Sequence, residues 1–258
     1  GATALTSITI PDSVISIGDE AFKDTGLTEI TLPDSITLIS EYAFRNVSLS
    51  ELTLPASLTT IGREAFYGGM SYASLIIPDS VASIGYLAFS GNYLEELVLP
   101  EGVSLHNGSI NQSIPGLCST DNLATVVIGL KNVPNDSFVN CEGLTSVTLL
   151  DSVETLGSSA FKDTPSLTSI DIPDSVTSIG GQAFWGSAIR SLDIPDSVTS
   201  IGNYAFTNSS LTSINLPNNL TEIPAGLFRG ATALTSITIP DSVISIGYEA
   251  FKDSGLTS

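Results

Sequence analysis

The 258-residue chain is rich in apolar residues (42%) and poor in charged ones (14%), a composition that should fold rather than remain disordered. Its 27 acids and 8 bases leave a formal net charge of −19, which repels nucleic acid and anionic lipid and excludes nucleic-acid binding. Two cysteines are too few for a disulfide scaffold or a zinc site, and no apolar run approaches the ~20 residues of a membrane helix, so no membrane insertion is expected in this segment.

The first element sets the frame for the rest. In Leu5-Thr6-Ser7-Ile8-Thr9-Ile10 the apolar residues alternate with polar ones at the end, which predicts a short strand. Pro11 ends it by removing a ladder donor, and Asp12-Ser13 supplies turn chemistry. Val14, Ile17, Ala21 and Phe22 then point inward. The position of Gly18 is Ser40, Pro134 or Pro224 in other turns, so positive φ is not what it needs. Gly, Ser and Pro all suit a helix start, which predicts a single helical or 3₁₀ turn carrying Ala-Phe. Asp24 follows, and its counterparts are Asn46, Gly68, Gly91, Asn140, Gly186, Asn208 and Gly230, residues suited to a left-handed exit.

Further along the chain the frame returns at Leu27, Leu49, Tyr72, Leu94, Leu123, Leu144, Leu167, Ile189, Leu211 and Leu234, with a regular period of 22 or 23 residues. All 10 phenylalanines fall at one position of the repeat, from Phe22 to Phe251, and Cys118 takes that position in the turn that lacks one. A single turn cannot bury its own apolar groups; stacked turns bury them against each other. The sequence therefore predicts one domain over 1–258. It should be a leucine-rich-repeat solenoid, right-handed, with a parallel sheet on the concave face, short helical or 3₁₀ turns on the convex face, and about 11 turns.

The motif Ile-Pro-Asp-Ser-Val-Thr-Ser-Ile-Gly-x-x-Ala-Phe, as at Ile172 to Phe184, resembles the BspA-like leucine-rich repeats of bacterial and protist surface proteins. The resemblance covers essentially the whole chain. It implies an extracellular or cell-surface location, adhesion to host matrix proteins or other cells, and no catalytic residues to carry over. The family often has Cys three residues after the Phe, a feature kept here by Cys141. Gly1 to Gly18 is identical to Gly230 to Gly247, which suggests a longer parent array, with neighbouring repeats expected at both ends and apolar core edges exposed there.

Residues of chemical interest carry mostly structural readings. His106 is the sole histidine, and Cys118 holds a core position, so no nucleophile system is built; neither an enzyme nor a cofactor is expected. Cys118 and Cys141 lie about one turn apart but at different repeat positions, and two buried thiols are the favoured state. Glu29 and Glu51 form one acidic row; Asp171 and Asp193 form another, for which Arg190 offers a nearby countercharge. Lys23, Arg45, Lys162, Arg229 and Lys252 each follow a Phe, where bases complement a helix C-terminus. Asn-x-Ser/Thr sequons, Asn208 and Asn219 among them, matter only in a eukaryotic source.

The irregular stretch is 94–143, with an insertion at roughly Glu101 to Ser113. It coincides with a change in the outward strand position. Most turns place Thr, Asp or Asn there, as at Thr9, Thr31, Thr53, Thr148 and Asn215, whereas three successive turns place Ile76, Val98 and Val127. An apolar stripe on a water-facing sheet, rimmed by Glu96 and by the loop carrying His106, marks a candidate partner site for a protein or glycan. The alternatives are a structural spacer in a long surface stalk and, more weakly, a targeting module attached to an enzyme.

Overall fold

The computed structural model describes residues 2–70, 73–106, 118 and 122–257, and for 104–106 the backbone. The chain is a solenoid of parallel turns. Its backbone divides into two compact units, Gly1–Val126 and Val127–Ser258, taken separately below.

Each regular turn contributes to two rows of short parallel strands. The first row comes from the Leu-x-x-Ile segment. In the first unit it includes the Thr9–Thr31 bridge and the strands Ser74–Ile76 and Glu96–Leu99, paired Ser74 to Glu96, Leu75 to Leu97 and Ile76 to Val98. In the second unit it includes Ser146–Leu149 and the pair Ser191–Asp193 with Ser213–Asn215. Leu75, Leu97, Leu192 and Ile214 turn inward and are buried, while residues on either side face out, the two-residue period of a strand.

The second row is built from the Ser-Ile-Gly segment and was not expected as strand. Ser16–Ile17, Leu38–Ile39, Thr60–Ile61, Ser83–Gly85 and Ser104–His106 form one five-stranded sheet in the first unit. Asn132–Val133, Thr155–Leu156, Ser178–Ile179 and Ser200–Ile201 form a four-stranded sheet in the second, followed by Glu222–Ile223 paired with Ser245–Ile246. Serines of the Pro-Asp-Ser turn lie just before this row. Ser35, Ser57, Ser80, Ser175 and Ser242 each donate a hydroxyl hydrogen bond to a carbonyl of the preceding turn, at 2.6–2.7 Å.

No helix forms among the described residues, which corrects the expected helical or 3₁₀ turn. Its place is taken by overlapping β-turns. The amides of Ala21, Lys23 and Thr25 close back on Gly18, Glu20 and Phe22, while those of Glu20, Phe22 and Asp24 reach out to the carbonyls of Glu41, Ala43 and Arg45 in the next turn. A helix spends nearly all its amides internally; here every second one is used to join turns. That alternation requires left-handed backbone twice per turn, at Glu20 (φ 56°) and Asp24 (φ 55°) in the first. The expected left-handed exits all occur, from Asp24 to Gly230.

Glycine at the later counterparts of Gly18, Gly62 to Gly247, is explained by close approach to the turn before, whereas Gly18 in the first turn meets nothing within 4 Å. A Cβ on Gly180 would lie 2.5 Å from the backbone of Gly157 and Ser158 in the turn before. Behind the β-turns the phenylalanines stack with nearly parallel, offset rings. Phe22, Phe44, Phe66 and Phe89 follow at centroid spacings of 5.2, 5.2 and 5.5 Å. Phe138 to Phe251 continue at 5.4–5.8 Å in the second unit. Both cysteines are disulfide-bonded and neither is a free thiol, which corrects the expected pair of thiols.

Candidate interaction surface

The outward side chains of the first strand row give the stripe its geometry. Ile76 and Val98 are register partners one turn apart, so their side chains stand next to each other on one sheet face. Ile76 is 65% exposed, a high value for a large apolar residue, and Val98 is half-buried. Glu96 flanks them and accepts a 2.8 Å hydrogen bond from the Ser74 hydroxyl. Val127 is half-buried and belongs to the second unit.

His106 does not border this face. Its backbone ends the strand Ser104–His106 in the second row and pairs with Gly85, because the insertion first rejoins the Ser-Ile-Gly row before departing from the frame. Residues 107–117 of the insertion lie outside the described residues.

The acidic rows occupy the same kind of surface. Ser7, Ile8, Thr9, Glu29, Ile30, Thr31 and Glu51 line a shallow hollow of about 420 Å³ in the first unit. Asp171 and Asp193 line another of about 540 Å³ in the second, where Asp193 pairs in register with Asn215. No ion pair joins Arg190 to Asp193 among the described residues, so the countercharge expected there is not in place. No group of three or more potential metal ligands occurs among the described residues.

The bases were expected as a solvated row beside helix ends, and the structure gives them a different setting. Lys23, Arg45 and Arg63 surround the Tyr42 ring at 5.6, 5.7 and 5.9 Å from its centroid. Arg45 also lies over Tyr67 and Arg63 over Tyr86. Arg45 and Arg63 both donate to the nearly buried Glu64 carboxylate. That hydrogen bond, with the nearby Tyr42, holds the Arg63 guanidinium above its ordinary pKa. The arrangement is repeated in the second unit, where Lys162 lies over Trp185 and Glu249 takes both Arg229 and Lys252. Sequence reasoning missed it because the rings, at Tyr42, Tyr67 and Tyr86, come from different repeat positions.

Comparison with known proteins agrees with this architecture. The BspA type leucine rich repeat region, in 6 copies, matches residues 1–114 and 131–257. The chain belongs to the BspA-type leucine-rich-repeat family. Among solved structures, this BspA-type chain resembles a leucine-rich repeat protein from Bacteroides ovatus, with 28% identity and a TM-score of 0.57 over 98% of this chain and 78% of the other. It is also similar to a leucine rich cell surface protein from Faecalibacterium prausnitzii, at 25% identity and a TM-score of 0.39, covering 95% and 78% of the two chains. The pneumococcal vaccine antigen PcpA matches at 22% identity and a TM-score of 0.46, covering 98% and 79%. No curated protein sequence matches the chain significantly.

Proposed function

We propose that this BspA-type chain is a non-enzymatic binding module of a cell-surface protein, and that it holds a protein or glycan partner against the first strand row at Ile76 and Val98. The observation that carries the reading is the 65% exposure of Ile76 beside Val98 on a sheet whose other outward positions are mainly Thr, Asp and Asn. A β-branched side chain suits a strand wherever it sits, but its hydrophobic gain is realised in full only when a partner removes it from water. Membership of the BspA-type family supports a surface role, and the repeated turns supply the rigid backing that a binding face needs.

Adherence of the purified chain to surfaces coated with extracellular-matrix proteins or with whole cells tests the proposal. The double variant Ile76→Thr, Val98→Thr should lose about tenfold in affinity, as expected when central apolar contacts are removed. Its melting temperature should stay nearly unchanged, since Ile76 contributes little to the core. Undiminished adherence by that variant, or no adherence by the parent chain, would return the chain to the role of spacer.

A further inference from the structure

Charge in the first unit is sorted by surface. Its three bases, Lys23, Arg45 and Arg63, all sit in the β-turn segment around Tyr42 and are engaged there with Glu20 and Glu64. None remains for the first strand row. On that row the outward column beside the stripe reads Ser7, Glu29, Glu51, Ser74 and Glu96 in successive turns, and Glu95 precedes Glu96. Glu29, Glu51 and Glu95 are exposed, and among the described residues none of these four glutamates forms an ion pair. The next column holds Thr9, Thr31, Thr53, Ile76 and Val98.

This sheet face therefore offers one apolar seat with carboxylates on one side and along the turns leading to it. We propose that the occupant is a basic polypeptide segment of a partner protein: an apolar side chain rests on Ile76 and Val98, and flanking Lys or Arg residues reach Glu29, Glu51 and Glu96. The inference rests on the reading above that this face binds a partner. Charge complementarity selects the occupant. A neutral glycan can donate hydroxyl hydrogen bonds to these carboxylates but leaves their charge uncompensated, an acidic segment is repelled by them, and a basic segment supplies the countercharge that no ion pair among the described residues provides here. The geometry also fits. Glu29 and Ile76 lie two turns apart and two residues along the strand, roughly 12 Å at strand spacing, a distance that about four residues of extended chain cover. A base and an apolar residue a few positions apart thus reach the two ends of the surface without bending.

Fluorescence anisotropy of a labelled peptide built from lysine and serine around a central leucine pair, titrated with the full chain, tests the assignment. The peptide should bind at about 50 mM NaCl and weaken severalfold at about 300 mM, as surface charges become screened. Its counterpart with glutamine for lysine should not bind. The variant Glu29→Gln, Glu51→Gln, Glu96→Gln should lose about tenfold, the summed effect of three exposed pairs. The variant Asp174→Asn, Glu222→Gln, Asp241→Asn removes equal charge from the second unit and should change affinity less than about twofold if the contact is local. Equal losses in the two triple variants would reduce the effect to net-charge attraction and overturn the assignment, as would failure of the lysine peptide to bind. Should that peptide fail while Ile76→Thr, Val98→Thr still weakens adherence to coated surfaces about tenfold, the face remains a partner site and only the basic occupant is lost. Salt-independent adherence that disappears when glycans are stripped from the coated surface would identify a glycan instead.

Discussion

At the scale of the residue, the phenylalanine row explains why one position of the repeat tolerates so little change. Phe184 is fully buried, with Phe161 and Phe206 each 5.6 Å away on opposite faces. The ring spacing lies within the range of offset-stacked aromatic pairs, so each ring gains from its neighbours as well as from burial. Phe184→Ala removes contacts with two turns at once and should cost about 3–5 kcal/mol, measured by circular dichroism melts and denaturant titration. A cost below about 1 kcal/mol would mean that the stack closes over the gap and that the row is not a spine. This residue was legible because its position never drifts in the sequence. Asn92 was not. It is 3% exposed, and its amide donates to the carbonyls of Phe66 (2.7 Å) and Phe89 (2.8 Å) while its oxygen accepts from the Met70 amide at 3.0 Å. It ties two turns together at a position three after Phe89 where the other phenylalanine turns carry Thr, Val, Gly, Ser, Cys or Ala, so no pattern announces it.

Elements differ in what their sequence reveals. The first strand row shows alternation, and so its inward Leu and Ile and the outward pair Ile76 and Val98 could all be placed beforehand. The second row runs for two or three residues per turn, as in Ser178–Ile179, too short for any alternation. The β-turn segment imitates a helix because it opens on Gly, Ser or Pro, residues that also suit a helix start. Half of its true signature, Asp, Asn or Gly at the Asp24 position, was visible. The other half was hidden, since Glu20, Tyr42, Leu87 and Gln182 adopt positive φ without being residues that favour it. His106 was misplaced for a related reason: an insertion suspends the periodic frame on which every other placement depended. Pro224 has a consequence of its own. In neighbouring turns Gly202 and Gly247 donate to Ile179 and Ile223, but Pro224 has no amide to offer Ile201. The bond that Thr199 makes to Thr177 likewise has no counterpart from Thr221 among the described residues. The second row consequently breaks between Ser200–Ile201 and Glu222–Ile223, leaving a cleft of about 350 Å³ lined by Thr199, Ile201, Glu222 and Pro224. The Thr221 amide should exchange with solvent deuterium at least about tenfold faster than that of Thr199, the difference expected for one missing backbone bond. Equal protection of the two would show that the row stays closed in solution.

For the molecule as a whole, the distribution of charge decides how stability responds to salt. The 27 acids outnumber the 8 bases, and acidic positions recur turn after turn, as at Asp12 and Asp34 or Asp174 and Asp196. Two carboxylates about 5 Å apart in water repel by roughly 0.8 kcal/mol, and more distant pairs add smaller amounts over many partners. The opposing attraction comes from the six ion pairs among the described residues, each worth about 0–1 kcal/mol at the surface. Salt weakens both sides unequally. At low ionic strength the screening length is about 30 Å and repulsion sums over several turns; near physiological strength it falls to about 8 Å and only adjacent turns still interact. The ion pairs sit at 3.3 Å or closer and lose proportionally less. Unfolding spreads the carboxylates apart, so screening relieves the folded chain more than the unfolded one. The melting temperature should therefore rise by several degrees between about 10 and 300 mM NaCl, a shift of order 1–2 kcal/mol for a chain of this size. Scanning calorimetry across that range decides the matter. A melting temperature that falls with added NaCl would place the ion pairs around Glu64 and Glu249, rather than the repeated acids, in control of the electrostatic contribution to stability.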